Sequence, residues 1–167
     1  MTNLQAIQKL RKIVRKNPHE YQALEDLFEM LRIYEQEDHK KAHKWNKEVR
    51  KISARQVKRA KSDSLVEKFY YLNKRALLFD AKLDFDAYLQ YVEFDREPEK
   101  RFYLPRRKQL LPIVQAMQDL EDDKLELLSI SMPPGTGKTT LGIFFLTWVM
   151  GKYPMSCNLA SAHSSML

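Results

Sequence analysis

The sequence predicts an α/β fold for the carboxy-terminal part of the chain, an incomplete parallel sheet with flanking helices. An all-α region precedes it. Three observations carry this expectation. Apolar residues recur at helical spacing through most of residues 1–95. Lys124 to Met132 alternates and is rich in Leu and Ile, as a buried parallel strand is. A loop with two glycines then leads into a second apolar run, Leu141 to Met150, long enough for a helix packed against that strand.

Taken in order, Leu4, Ile7, Leu10, Ile13 and Val14 mark an amphipathic helix over 3–16. Asn17-Pro18-His19-Glu20 reads as a restart, with Asn17 as cap, Pro18 at the first helical position and Glu20 reaching back. Leu24, Leu27, Phe28 and Leu31 are the inner stripe of a second helix ending near Glu37. Residues 38–61 change character: ten Lys and Arg stand against Asp38 and Glu48, with a narrow apolar seam of Ala42, Trp45, Val49 and Ile52. This basic helix either follows a phosphate backbone by counterion release or is a solvated face beside an acidic neighbour. His39 and His43 are four apart but lack a third ligand nearby, so they read as surface histidines rather than a zinc pair. Ser64 and Glu67 form a capping box for a helix lined by Val66, Phe69, Tyr70, Asn73, Ala76 and Leu77. Asp84 caps the next, which carries Phe85, Tyr88, Leu89 and Val92. The aromatics Phe69, Tyr70 and Tyr71 are spaced for helix packing rather than base stacking. Arg96-Glu97-Pro98-Glu99-Lys100 is a charged linker, dividing a helical, basic region 1–95 from a second region 96–167. Pro105 starts a helix whose core face is Leu110, Ile113, Val114 and Met117. Thr139 to Met150 is apolar nearly all round, which predicts burial on most sides, with Gly151 as its terminating residue and Pro154 blocking continuation. Cys157 to His163 reads as a second strand.

The stretch that organises the chain is Ser131-Met132-Pro133-Pro134-Gly135-Thr136-Gly137-Lys138-Thr139-Thr140. Strand, glycine-bearing loop, Lys-Thr and helix follow the layout of a phosphate-binding P-loop. Amides of the loop and the first helical turn lack intrachain partners and can turn on an anion. Gly135 and Gly137 let the backbone curl, Lys138 places a charge by the β- and γ-phosphates of ATP, and the Thr139 hydroxyl ligates Mg²⁺. Pro134, Thr136 and Thr140 complete the expected cradle. The pattern departs from the full motif at Met132, where a first glycine is expected.

At 167 residues the chain can bury a core and form one or two domains. A net charge of +7, carried almost wholly by residues 38–61, points to an acidic partner. The single cysteine, Cys157, excludes a disulfide framework within one chain and fits a reducing compartment. Met1-Thr2-Asn3-Leu4 has no signal-peptide apolar core, and Leu141 to Met150 is too short for a bilayer, which needs about 20 apolar residues. These features predict a soluble cytosolic protein without membrane contact. The residues after Thr140 suffice for one helix and one strand, with no later acidic strand, so the sequence reads as a fragment or a truncated frame.

Residues 101–167 resemble the large terminase subunit of tailed bacteriophages, the ATPase-nuclease that cuts and packages DNA. The resemblance rests on Leu128-Ser129-Ile130-Ser131-Met132-Pro133-Pro134 leading into Gly137-Lys138-Thr139, on Trp148-Val149-Met150-Gly151-Lys152-Tyr153-Pro154, and on Asn158-Leu159-Ala160-Ser161-Ala162-His163-Ser164. Arg101 to Gln109 is similar to the entry of the family's ATPase domain. The resemblance implies a P-loop NTPase fold, Lys138 as the catalytic lysine, Thr139 as the Mg²⁺ ligand, and Arg106, Arg107 or Gln109 near the adenine of ATP. It implies that Ser161 to Ser164 couples nucleotide state to DNA. It further implies double-stranded viral DNA, a portal protein and a small terminase subunit as partners, a ring of like subunits, and the cytoplasm of an infected bacterial host. Gly135 stands where the family often carries an arginine. The acidic strand and nuclease residues have no counterpart here, so the chain by itself is expected to bind nucleotide weakly and hydrolyse almost none. Two other readings remain open: an AAA+ or helicase-type ATPase, and a basic helical DNA-binding protein with a vestigial P-loop.

Overall fold

A computed structural model describes residues 2–159, and these divide between two compact units that meet in sequence at Leu83 and Asp84. The first unit is four helices, α1 (Asn3–Lys16), α2 (Tyr21–Tyr34), α3 (His39–Val57) and α4 (Asp63–Ala81). The second contains α5 (Phe85–Val92), α6 (Arg107–Glu121) and α7 (Lys138–Lys152), with 3₁₀ turns at Pro98–Lys100 and Leu104–Arg106. Among the described residues there is no strand.

Most helices begin where a short polar side chain can take a first-turn amide. Thr2 accepts from the Gln5 amide, and Gln5 answers with its own side chain, closing a capping box on α1. Asp38, Ser62 and Asp84 accept from the amides of Lys41, Leu65 and Ala87 and so start α3, α4 and α5. Three starts differ from expectation: Pro105 lies in the 3₁₀ turn Leu104–Arg106, and α6 begins at Arg107. Asn17 to Glu20 is a turn and α2 begins only at Tyr21, while α4 is capped by Ser62, two residues ahead of the expected Ser64.

In the first unit, the apolar stripes read from spacing do face inward. Ile7, Val14, Leu24, Leu27, Phe28, Leu31, Ala42, Val49, Phe69, Leu72 and Ala76 form one core. Phe69 meets Tyr21 edge to face, with ring centroids 5.5 Å apart, so it is a packing residue and no base platform. A polar seam joins α3 to α4. The Asn46 amide donates to the Ala76 carbonyl at 2.8 Å, and the Asn73 amide donates to the Arg50 carbonyl and the Ser53 hydroxyl, both at 2.9 Å. His43 is buried, not a surface residue: it stacks on Phe79 and bridges Asp80 (2.8 Å) and Glu35 (3.2 Å). Arg50 reaches the other oxygen of Asp80 at 2.8 Å. A carboxylate as buried as Asp80 persists because two cationic or hydrogen-bonding partners satisfy it.

In the second unit Phe85, Leu89, Tyr103, Leu110, Val114, Met117, Leu141 and Trp148 form a separate core. The predicted α/β architecture, a parallel sheet with flanking helices, does not occur: both units are all-α among the described residues. Lys124 to Met132 explains the difference. Its burial alternates only from Leu128 onward, with Leu128, Ile130 and Met132 partly buried against the core and Ser129 and Ser131 exposed, whereas Lys124 to Leu127 are all exposed. Alternation selects an inward face, but a strand also needs a neighbour to share its ladder. No such neighbour exists among the described residues. Cys157 to Leu159, the described part of the expected second strand, is exposed and joins no strand ladder, and residues 160–163 lie outside the described residues. Helix α7 is also less covered than its composition predicts. Leu141 and Trp148 are buried, but Ile143 and Met150 are each more than half exposed. Gly151 is helical rather than terminal.

Candidate phosphate-binding loop

The loop is built by two glycines in conformations that side-chain-bearing residues avoid. Gly135 has φ +76° and Gly137 φ +92°. Between them Thr136 folds back, its hydroxyl donating to the Pro133 carbonyl at 2.6 Å and its amide to the same oxygen at 3.4 Å. Helix α7 then begins at Lys138, with Gly137 as its left-handed cap. A glycine cap has no side chain to offer the first turn. The Leu141 amide bonds to the Gly137 carbonyl at 3.0 Å, while the amides of Lys138, Thr139 and Thr140 have no intrachain acceptor among the described residues. The side chains of Lys138, Thr139 and Thr140 are exposed, as are Pro134 and Gly135.

Phe102 underlies this loop. A Cβ on Gly137 would stand 2.1 Å from Cε2 of the Phe102 ring, so the ring already fills the space a side chain would need. The ring stacks on Phe144 of α7 at 6.4 Å between centroids. The Arg106 guanidinium lies over the same ring, 5.5 Å from its centroid. Phe102 is itself held by a carboxylate. Glu93, fully buried, accepts the backbone amides of Phe102, Tyr103 and Leu104 at 2.8–2.9 Å.

The residues expected near the adenine therefore separate. Arg106 is brought beside the loop through Phe102. Arg107 is turned away to Asp86, with two hydrogen bonds of 2.8 Å; the hydrogen bonding to Asp86 outweighs burial, which pulls the other way, and holds its pKa above the ordinary value. Gln109 is exposed on the first turn of α6, and its side chain makes no hydrogen bond among the described residues. The Tyr103 hydroxyl donates to Asp86 at 2.6 Å; burial, then that bond, push its phenol well above the usual range. Ser161 to Ser164, expected to couple nucleotide state to DNA, lie outside the described residues. Sequence spacing had no means of finding Phe102 or Glu93: one sits in an aromatic-basic run and the other beside a charged stretch that reads as surface.

No group of three or more His, Cys, Asp or Glu among the described residues could hold a metal, and no helix there is long and apolar enough to cross a membrane. No family model matches the chain, and neither the curated proteins nor the solved structures compared with it contain a match. The resemblance to the large terminase subunit is thereby overturned. Its motif order is present, but the all-helical architecture does not fit a P-loop ATPase domain, whose phosphate loop hangs from a parallel sheet. The portal protein, the small terminase subunit and the ring of like subunits were expected on that resemblance alone.

Proposed function

We propose that the chain binds the polyphosphate of ATP with Mg²⁺ at Pro134 to Thr140, as a binding activity without appreciable hydrolysis. The observation that carries this reading is the glycine cap of α7. It leaves three amides, a lysine and two hydroxyls together at an open helix start. A helix start of this kind favours negative charge through unmade N–H bonds and the helix dipole. Lys138 supplies the countercharge, Thr139 the hydroxyl suited to Mg²⁺, and Arg106 with Phe102 a cation and a ring beside the loop.

Calorimetric titration with ATP, with and without Mg²⁺, tests it. Magnesium-dependent binding is expected, and Lys138→Ala should weaken it roughly 10–100-fold, the worth of a hydrogen bond to a charged group. Thr139→Val should remove most of the magnesium dependence. A folded wild-type chain that takes up no ATP, or a Lys138→Ala variant that binds as well as wild type, would end the proposal.

A further inference from the structure

We propose that one face of α3 binds double-stranded nucleic acid along its phosphate backbone, without reading sequence. Lys40, Lys44, Lys47, Lys51, Arg55 and Lys58 recur at steps of three and four. At 3.6 residues per turn they fall within an arc of about 80° and extend over about 27 Å of α3 and its last turn. All six are exposed. Among the described residues Lys40, Lys44, Lys51, Arg55 and Lys58 have no carboxylate partner. The two acids of the segment are engaged elsewhere. Asp38 caps α3 and pairs with Lys41, and Glu48 is taken by Arg11 and Arg15 of α1. Like charges so aligned repel one another, a cost that a polyanion removes.

The same face selects among polyanions. A helix that lies in a membrane interface sets large apolar residues beside its cations. Here Trp45, Val49 and Ile52 are turned into the core, and the exposed apolar residue beside the stripe is no larger than Ala54. Single strands are held by stacking on aromatic rings. Trp45 is the aromatic residue of α3, and it is stacked on Tyr34 with Arg11 over its ring. The amides that could read bases, Asn46 and Gln56, are buried. What remains is a straight row of cations for a regularly charged duplex.

Fluorescence anisotropy of the full chain with a labelled DNA duplex of roughly two helical turns, without nucleotide, tests this across a salt series. Five to six phosphate contacts predict a slope of log K against log salt near −5, roughly a thousandfold loss between about 50 and 200 mM salt. Two duplexes of unrelated sequence should bind alike. The variant Lys44→Gln/Lys51→Gln/Arg55→Gln should flatten the slope by about 2.7. The charge-matched control Lys9→Gln/Lys82→Gln/Lys108→Gln, also at exposed positions, should leave it unchanged. Both variants should keep the wild-type circular dichroism. Equal loss in the two variants, tighter binding of single strands, or binding of phosphatidylserine vesicles in place of duplex would each overturn the proposal.

Discussion

Replacing Gly137 with alanine probes the packing beneath the loop. Gly137 sits at φ +92°, ψ +28°, in the left-handed region that costs an L residue about 1–2 kcal/mol. The new Cβ would also lie 2.1 Å from Cε2 and 2.6 Å from Cζ of Phe102, so the ring must leave. Phe102 then forfeits its stack on Phe144 and the Arg106 guanidinium, each contact being about 0.5–1 kcal/mol. The expected destabilisation is roughly 2–4 kcal/mol. Gly135 is the internal control. Its φ is +76°, but a Cβ there meets nothing within 4 Å, so Gly135→Ala should cost only the backbone share, about 1–2 kcal/mol. Urea unfolding in a Trp45→Phe background, followed by Trp148 fluorescence, reads the second unit alone. The midpoint should move while the denaturant slope does not. With Phe102→Ala in place, Gly137→Ala should cost no more than Gly135→Ala, a coupling of about 1–2 kcal/mol in the double-mutant cycle. Equal costs at the two glycines, or a Gly137 penalty that persists without the Phe102 ring, would refute the assignment of Phe102 as the floor of the loop.

Two further expectations concern carboxylates. Glu93→Ala strands the amides of Phe102, Tyr103 and Leu104 and should destabilise the second unit by roughly 3–5 kcal/mol, while Glu93→Gln, which keeps one acceptor oxygen, should cost less; the same Trp148-monitored urea titration checks both. Burial alone would push the Glu48 carboxyl up, but the hydrogen bonds of Arg15 and Arg11 and their charges outweigh it and hold it below its ordinary value. A carboxyl depressed in the folded state contributes stability above its unfolded pKa of about 4.3 and loses it as pH falls through the folded value. Urea midpoints of wild type should therefore fall faster than those of Glu48→Gln as pH drops below about 5, and parallel curves would remove the α1–α3 ion pair from the account.

Local patterns in the sequence determined the helices of the first unit, the residues they turn inward, the Asp84 cap, the left-handed glycines and the inward side of Leu128, Ile130 and Met132. Each is settled within a few residues, by side-chain periodicity or by which backbone angles a residue tolerates. Tertiary structure alone decided the rest. A sheet needs hydrogen-bonding partners far along the chain, and the alternation of Lys124 to Met132 carries no information on whether they exist. Short motifs shared with an ATPase family have the same limit, because they fix the order of residues and not the layers around them. His43 became a buried link only when Asp80 and Glu35 arrived beside it, Arg107 left the loop because Asp86 offered a bidentate partner, and Gly137 gained its second constraint from a ring thirty-five positions earlier. Charge, by contrast, was legible from the start, since exposed lysines are shaped by solvent more than by neighbours, and it is the helical repeat of α3 that gathers them onto one face.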